Sequence, residues 1–473
     1  MTAGGRQPLI KKEAKTARTL RRATYLFSKK FSLALAVELR HSISMENNTA
    51  PKLFIDIFAG CGGLSLGLMR AGWQCSFAIE KNDDAFSTYK HNLIEGRYSS
   101  SFKWPKWLEK RAHDIDEIIS EYRDELLDLR GKVDLIAGGP PCQGFSSAGR
   151  RLHHDPRNKL FERYLDLVNI LKPNAILIEN VRGFTSDFTK KSSVKNYSLA
   201  LAERLSLDYD VYQKLYNVSE FGVPQARTRF FLIAHRKGLN AENPFHIIDD
   251  VVPTFLRRNN LRNPVTAKEA LSSLEISKGG IRASKETKGF MEICPTHSTT
   301  SYQKYLSTDC ATIDSLRLAR HSNEIAKRFE IIIEHSHRIG RLNTVIDGEL
   351  KGQLGIKKKA IRVLDPDRPS PTITSMPDDL LHYSEPRALT VRENARLQSF
   401  PDWFSFKGKY TTGGERRKYE VPRFTQVANA VPPVVAEVFG IALLDIAQKI
   451  CSQEKSCSAH SSQDRMKLSK LTA

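Results

Sequence analysis

The sequence has no CxxC pair and no four-ligand cysteine–histidine spacing among its seven cysteines, which are Cys61, Cys75, Cys142, Cys294, Cys310, Cys451 and Cys457. An odd, scattered set of thiols argues against a disulfide framework and against a structural metal site. It fits a reducing compartment. No apolar run approaches the ~18 residues of a membrane-spanning helix, so no membrane partner is expected. The G-x-G-x-x-G fingerprint and internal repeats are also missing. Acids are in deficit: 53 Asp and Glu stand against 73 Lys and Arg, a formal net charge of +20. That excess points to a polyanion, with phosphate neutralisation supplying much of the affinity. A chain of 473 residues has room for two or three domains.

The charge is uneven. Residues 1–50 hold ten Lys/Arg and three acids. Despite a superficial transit-peptide look, they read as a disordered basic extension, upstream of an alternative start at Met45. From Lys52 onward, short apolar runs alternate with amphipathic stretches. The runs are Leu53–Phe58, Cys75–Glu80, Val133–Ala137, Ala175–Ile178, Val211–Val218 and Phe230–Ala234, with helices expected over Leu64–Ala71, Phe161–Leu171 and Leu199–Leu207. Near-continuous apolar strands alternating with helices predict an α/β fold with a mostly parallel sheet covered on both faces. The rhythm stops after His235. Residues 240–360 are polar, basic and weakly patterned, as expected of a smaller, irregular domain or long insertion. Helical periodicity returns over Val434–Ile450, and 451–473 reads as a polar, disordered tail.

Four motifs carry chemistry. Cys142 stands in Gly138-Gly139-Pro140-Pro141-Cys142-Gln143-Gly144-Phe145-Ser146, just past a buried strand. The prolines fix φ and stiffen the turn that carries the thiol. A nucleophile and a structural buried cysteine are both open readings. The first strand runs into Asp56-Ile57-Phe58-Ala59-Gly60-Cys61-Gly62-Gly63, a turn that exposes helix N-terminal amides to a ligand. Glu80 follows Gly60 by 20 residues, at the end of the next run, where an acid can hold ribose hydroxyls. The pair means a nucleoside-containing cofactor, either NAD or S-adenosylmethionine. Glu179 closes the run Ala175–Ile178 at a ligand-binding sheet edge, as a proton donor or a structural acid. In Gln225-Ala226-Arg227-Thr228-Arg229, alternation puts Gln225, Arg227 and Arg229 on one face, suited to an anion or to salt bridges.

Together these residues resemble the DNA (cytosine-5-)-methyltransferases of prokaryotic restriction-modification type. The likeness covers about 52–236 and 361–445. It rests on the turn through Gly63, Glu80, the Cys142 motif, Ile178-Glu179-Asn180-Val181, the arginine motif, Arg362–Thr374 and Gln426-Val427-Ala428-Asn429-Ala430-Val431. The last departs from the family's Gln-x-Gly-Asn at Ala428, one methyl larger near the expected cofactor.

The resemblance implies a Rossmann-like, S-adenosylmethionine-dependent domain, transfer to C5 of cytosine in duplex DNA, and a flipped target base. Cys142 would add to C6, Glu179 would hold N3, Arg227 would orient the base, and Arg229 would support Glu179 or a phosphate. Phe58, Gly60, Gly62, Glu80, Asp114, Ile115, Pro140, Leu160 and Asn429 would form the cofactor site, with no metal. The implied division is a catalytic and cofactor-binding domain at 51–239, a target-recognition domain at 240–383 and a return to the catalytic domain over 384–450. The implied setting is a cytoplasmic, nucleoid-associated monomer, with any cognate restriction endonuclease acting separately.

An RNA (tRNA) cytosine-5 methyltransferase of similar fold is the alternative; the long variable region favours duplex readout. The missing G-x-G-x-x-G and the Pro140-Pro141-Cys142 turn argue against a nicotinamide oxidoreductase. Intact Cys142, Glu179 and Arg227 argue against an inert DNA-binding module. Cys142 stands where amino-group methyltransferases carry an aromatic residue.

Overall fold

The computed structural model describes residues 51–141, 158–185, 196–239, 241–308, 310–358, 360–412, 416 and 419–451. Cys142, the basic extension 1–50 and the tail after Cys451 lie outside the described residues, as do the expectations that fall on them.

Six strands form the central sheet: β1 (Leu53–Ile57), β2 (Gln74–Ile79), β3 (Leu135–Gly138), β4 (Ala175–Val181), β5 (Tyr209–Asn217) and β7 (Thr228–Arg236). A short β6 (Gln225–Ala226) precedes β7 and pairs elsewhere. The order is β2-β1-β3-β4-β7-β5; β2, β1, β3 and β4 are mutually parallel, and β7 runs antiparallel to both its neighbours. The sheet is therefore mostly parallel, as the apolar runs predict.

Alternation along each strand divides the core. Phe54, Leu135, Ala137 and Leu177 pack on one face, while Ile55, Ile57, Ile136, Ile176 and Ile178 pack on the other. Both faces are covered, which is why the strands read as continuous apolar runs.

Glycines set the closest approaches. Gly62 starts the helix Gly63–Arg70 at φ 96°, and a Cβ there would lie 2.7 Å from Leu93 and 2.8 Å from Tyr89. Gly67 lets helix 433–451 approach: a Cβ would sit 2.5 Å from the Pro433 carbonyl. Trp73 Nε1 donates to Gly440 O at 2.9 Å, fixing the same contact. The last helical segment therefore packs on helix Gly63–Arg70 and Trp73. That segment, Arg423–Cys451, is long and apolar enough to cross a membrane, contrary to the reading of the apolar runs. Since 67% of its apolar window is buried inside the fold, it serves as a core helix.

The stretch after β7 is less irregular than its pattern suggests. Helix Pro244–Arg258 is capped by Asn243 and buries Phe245, Ile248, Val251 and Phe255 at helical spacing. The Tyr216 hydroxyl donates to Asp249 at 2.6 Å, which ties this helix to β5. Helix Asn323–Arg338 buries Phe329, Ile332 and Ile333 in a separate small core.

Asp56 is the odd residue of β1, fully buried on a strand of isoleucine and phenylalanine. Its Oδ2 accepts from the Ser65 hydroxyl at 2.6 Å, while Oδ1 has no partner. Burial pushes the carboxyl up from 3.8 to about 7. An acid raised on folding gives stability that is full below the unfolded value and is lost as pH climbs through the folded one. Melting curves of Asp56→Asn and wild type should therefore diverge in the variant's favour between about pH 4 and pH 7, by up to about 4 kcal/mol, and run parallel above. Profiles parallel throughout this window would show that Asp56 keeps an ordinary pKa.

Candidate active site

Strand register brings the motifs to one edge. Ile57, Gly138 and Ile178 are aligned across β1, β3 and β4, so Phe58, Gly139 and Glu179 follow them side by side. In a parallel sheet, this carboxyl edge is where ligands bind. A Cβ on Gly139 would lie 3.2 Å from Glu179 Oε2, so the carboxylate sits over the start of the Pro-Pro turn. Asn180 Nδ2 donates to Pro140 O at 3.2 Å and anchors the turn to β4. Pro140 is buried and Pro141 exposed, so the chain surfaces just before Cys142.

Glu179 and Arg229 form a buried ion pair, Oε1 to Nε 3.1 Å. Val181 is opposite Arg229 on the antiparallel partner, making Glu179 and Arg229 diagonal neighbours on one face. Arg227 is 3% exposed; its Nη1 donates to Ala428 O at 2.6 Å and its Nε has no partner. Burial pushes the Glu179 carboxyl up, against the pull of Arg229 and Arg227. Burial and the neighbouring Arg229 push the Arg227 guanidinium down, opposed by Glu179. Two guanidiniums share one carboxylate in a dry corner, so the cluster favours an electron-rich ligand with acceptor atoms.

The cofactor side lies at the ends of β1 and β2. Glu80 Oε2 accepts from Gly60 N at 2.9 Å and Oε1 from Asn82 N at 2.7 Å. Burial still pushes this carboxyl up, even with those donors. Each oxygen keeps a free lone pair, enough for two hydroxyls. A Cβ on Gly60 would meet nothing within 4 Å, so open space lies over the turn. Phe58 holds a left-handed φ of 61°, its ring half-buried at the rim of the second core face. Residues of this shape fit a nucleoside with a free ribose edge.

Asp114 caps the helix Ile115–Glu121 and pairs with Lys81 at 2.6 Å. Partial burial raises its pKa, but the Lys81 bond and the Asp116 amide outweigh it and hold the carboxyl low. The amide of His113 donates to Glu80 O at 2.9 Å, which sets Asp114 beside Glu80. Ile115 is a core residue at 2% exposure, and Leu160 is partly buried against the same core. These two are packing residues in the first instance. Asn429 is exposed at the end of helix Arg423–Asn429. Its neighbour Ala428 is accommodated at 6% exposure, its carbonyl taken by Arg227.

Two side-chain contacts at this edge have no reading from sequence, although Gln426 itself opens the final motif. Gln426 is clamped by Thr88, whose hydroxyl donates to Oε1 at 2.7 Å. Gln398 donates to Ala430 O at 2.5 Å. Neither has a local signal, since each acts across more than thirty residues of chain.

Residues 53–444 match the family described as C-5 cytosine-specific DNA methylase. The type II methyltransferase M.DdeI of Desulfomicrobium norvegicum is 31% identical over 397 residues, covering 81% of this chain and 86% of that protein. M1.HphI of Haemophilus parahaemolyticus, another type II methyltransferase, is 28% identical over 83% of this chain and 86% of its own length. Among solved structures, a prophage-encoded E. coli chain assigned as a DNA modification methyltransferase superposes with a TM-score of 0.60 at 25% identity, covering 84% of this chain and 99% of that one.

Proposed function

The chain belongs to the C-5 cytosine-specific DNA methylases and transfers a methyl group to C5 of cytosine in DNA; we propose that it does so from S-adenosylmethionine, within one duplex sequence, with Cys142 as nucleophile. The observation that carries the reading is the Glu179–Arg229–Arg227 cluster over Gly139, at the base of the turn that delivers Cys142.

The chemistry explains the parts. C5 of cytosine is a weak nucleophile until a group adds to C6. The Cys142 thiolate adds there, and the electron pair moves toward N3 and makes C5 enamine-like. Glu179 holds or protonates N3 as that charge develops, and its raised pKa suits proton donation. Arg227, with its free Nε in the dry corner, orients the base, and Arg229 holds Glu179 in place. After C5 is methylated, a base removes its proton and the thiolate is expelled. S-adenosylmethionine, when bound, supplies the sulfonium methyl group. Glu80 would take its ribose hydroxyls, with Phe58, Gly60, Gly62, Asp114, Pro140 and Asn429 around it. C5 and C6 are inaccessible in stacked DNA, so the base is extruded.

The assignment of 240–383 to target recognition, with 51–239 and 384–450 as the catalytic body, belongs to the same proposal. Lys and Arg in that region would grip phosphates and a few side chains would read base edges. A cytoplasmic site, a monomeric state and a separately acting restriction endonuclease complete it. Bisulfite sequencing of host DNA after expression tests the whole reading. One protected cytosine in one recurring sequence is expected; no protected cytosine, with methyl label appearing in tRNA instead, would overturn it.

A further inference from the structure

Three alternate carbonyls of the segment Gln426–Ala430 are each held by a different part of the chain. The Cys61 thiol, from the glycine turn, reaches Gln426 O at 3.6 Å. Arg227, from the arginine motif, donates to Ala428 O at 2.6 Å. Gln398, just after helix Val391–Leu397, donates through Nε2 to Ala430 O at 2.5 Å. Asn429 lies between the last two clamps, so its position is set by both.

Gln398 in turn is held from the other side. Gln225 Nε2 donates to Gln398 Oε1 and, at 3.2 Å, to Leu397 O. Gln225 Oε1 accepts the backbone amide of Ile373 at 3.1 Å. Gln225 also pairs through the backbone with Ser370 of the strand Ser370–Pro371. Gln225, Gln398 and Ile373 are buried at 0%, 0% and 2% exposure. A buried glutamine amide bonded on both sides cannot shift alone, because any break leaves an unpaired polar group away from water. The chain Ile373–Gln225–Gln398–Ala430 is thus one unbroken hydrogen-bonded line. It runs from the end of the proposed recognition region to Ala430, the residue next to Asn429 of the proposed cofactor site.

We propose that Gln225 and Gln398 are positioning residues that couple the two binding sites, so that cofactor binding at the Asn429 segment firms the chain at Ile373 and each ligand tightens the other. The inference rests on the cofactor reading above. Neither residue touches the reacting atoms; they act through Ala430 and Ile373.

Hydrogen exchange on the native protein, with and without saturating S-adenosylhomocysteine and no DNA, tests it without a variant. Slower exchange is expected at Gly60–Gly63, where the cofactor would sit, and also at the Ile373 amide. Protection at Gly60–Gly63 with Ile373 unchanged would overturn the coupling alone. No protection at Gly60–Gly63 would overturn the cofactor reading and the coupling with it. A second measurement compares S-adenosylhomocysteine affinity with and without duplex DNA bearing the methylated site. Wild type should gain at least about fivefold on adding DNA. Gln398→Met, of similar volume but lacking donor and acceptor, should lose most of that gain. Gln225→Met, which removes both the acceptor for Ile373 and the donor to Gln398, should behave alike. A folded variant of either kind that retains the full gain would refute the coupling.

Discussion

Cys142→Ser is expected to lower the methylation rate by on the order of 10³-fold or more while leaving cofactor affinity unchanged. An alcohol is almost wholly protonated near neutral pH and is a far poorer nucleophile than a thiolate. Neither buried core thiol, Cys61 or Cys75, can stand in. Burial pushes Cys61 up to about 12, and Cys75 well above its ordinary value. Both are locked into the core beside β1 and β2. Single-turnover methylation of duplex DNA, with cofactor affinity measured separately, is the check. A serine variant within tenfold of wild type would mean that C5 is activated without a thiol.

Glu179→Gln should be the next most damaging change, lowering turnover by about 10²- to 10⁴-fold, the usual range for a positioned proton donor. The amide keeps the size of the acid but cannot donate a proton from oxygen. It also strands Arg229 beside Arg227 in a corner where all three side chains are nearly dry. Breaking a buried pair from one side costs about 3–5 kcal/mol, so a lowered melting temperature should accompany the lost rate. Replacing Arg229 as well, as in Glu179→Gln with Arg229→Met, should restore much of the stability and none of the activity. Recovery of turnover in the double variant would make Glu179 a structural acid only.

The sheet and the edge of the site were legible because both have strong local signatures. Strands such as Leu53–Ile57 are almost wholly apolar, Gly60 and Glu80 follow the ends of β1 and β2, and Glu179 lies near the end of β4. The acid at Glu179 and the two arginines meet because β4 and β7 are neighbours, a pairing that family likeness implies and local pattern does not. Helices Pro244–Arg258 and Asn323–Arg338 are not evident in the sequence because their apolar stripes are diluted by charged residues on the outer face. Asp56 precedes the glycine turn with no role legible in the sequence, since nothing local distinguishes a buried acid from a ligand. The contacts made by Gln398 and by Gln426, which opens the final motif, are not legible for a related reason. Their partners, Gln225 and Thr88, lie 173 and 338 residues away, and a lone glutamine carries no periodic signal. Polar lines of this kind are written in tertiary contact.

The central claim is covalent attack on C6 by Cys142, and duplex DNA carrying 5-fluorocytosine at the methylated position tests it most directly. Fluorine cannot leave C5 as a proton does, so the enzyme should stall after methyl transfer with DNA attached. The expected result is a stable, cofactor-dependent protein–DNA adduct whose linked peptide contains Cys142, absent from Cys142→Ser. Active turnover on ordinary cytosine with no adduct on the fluorinated duplex, or an adduct mapped to another cysteine, would contradict it.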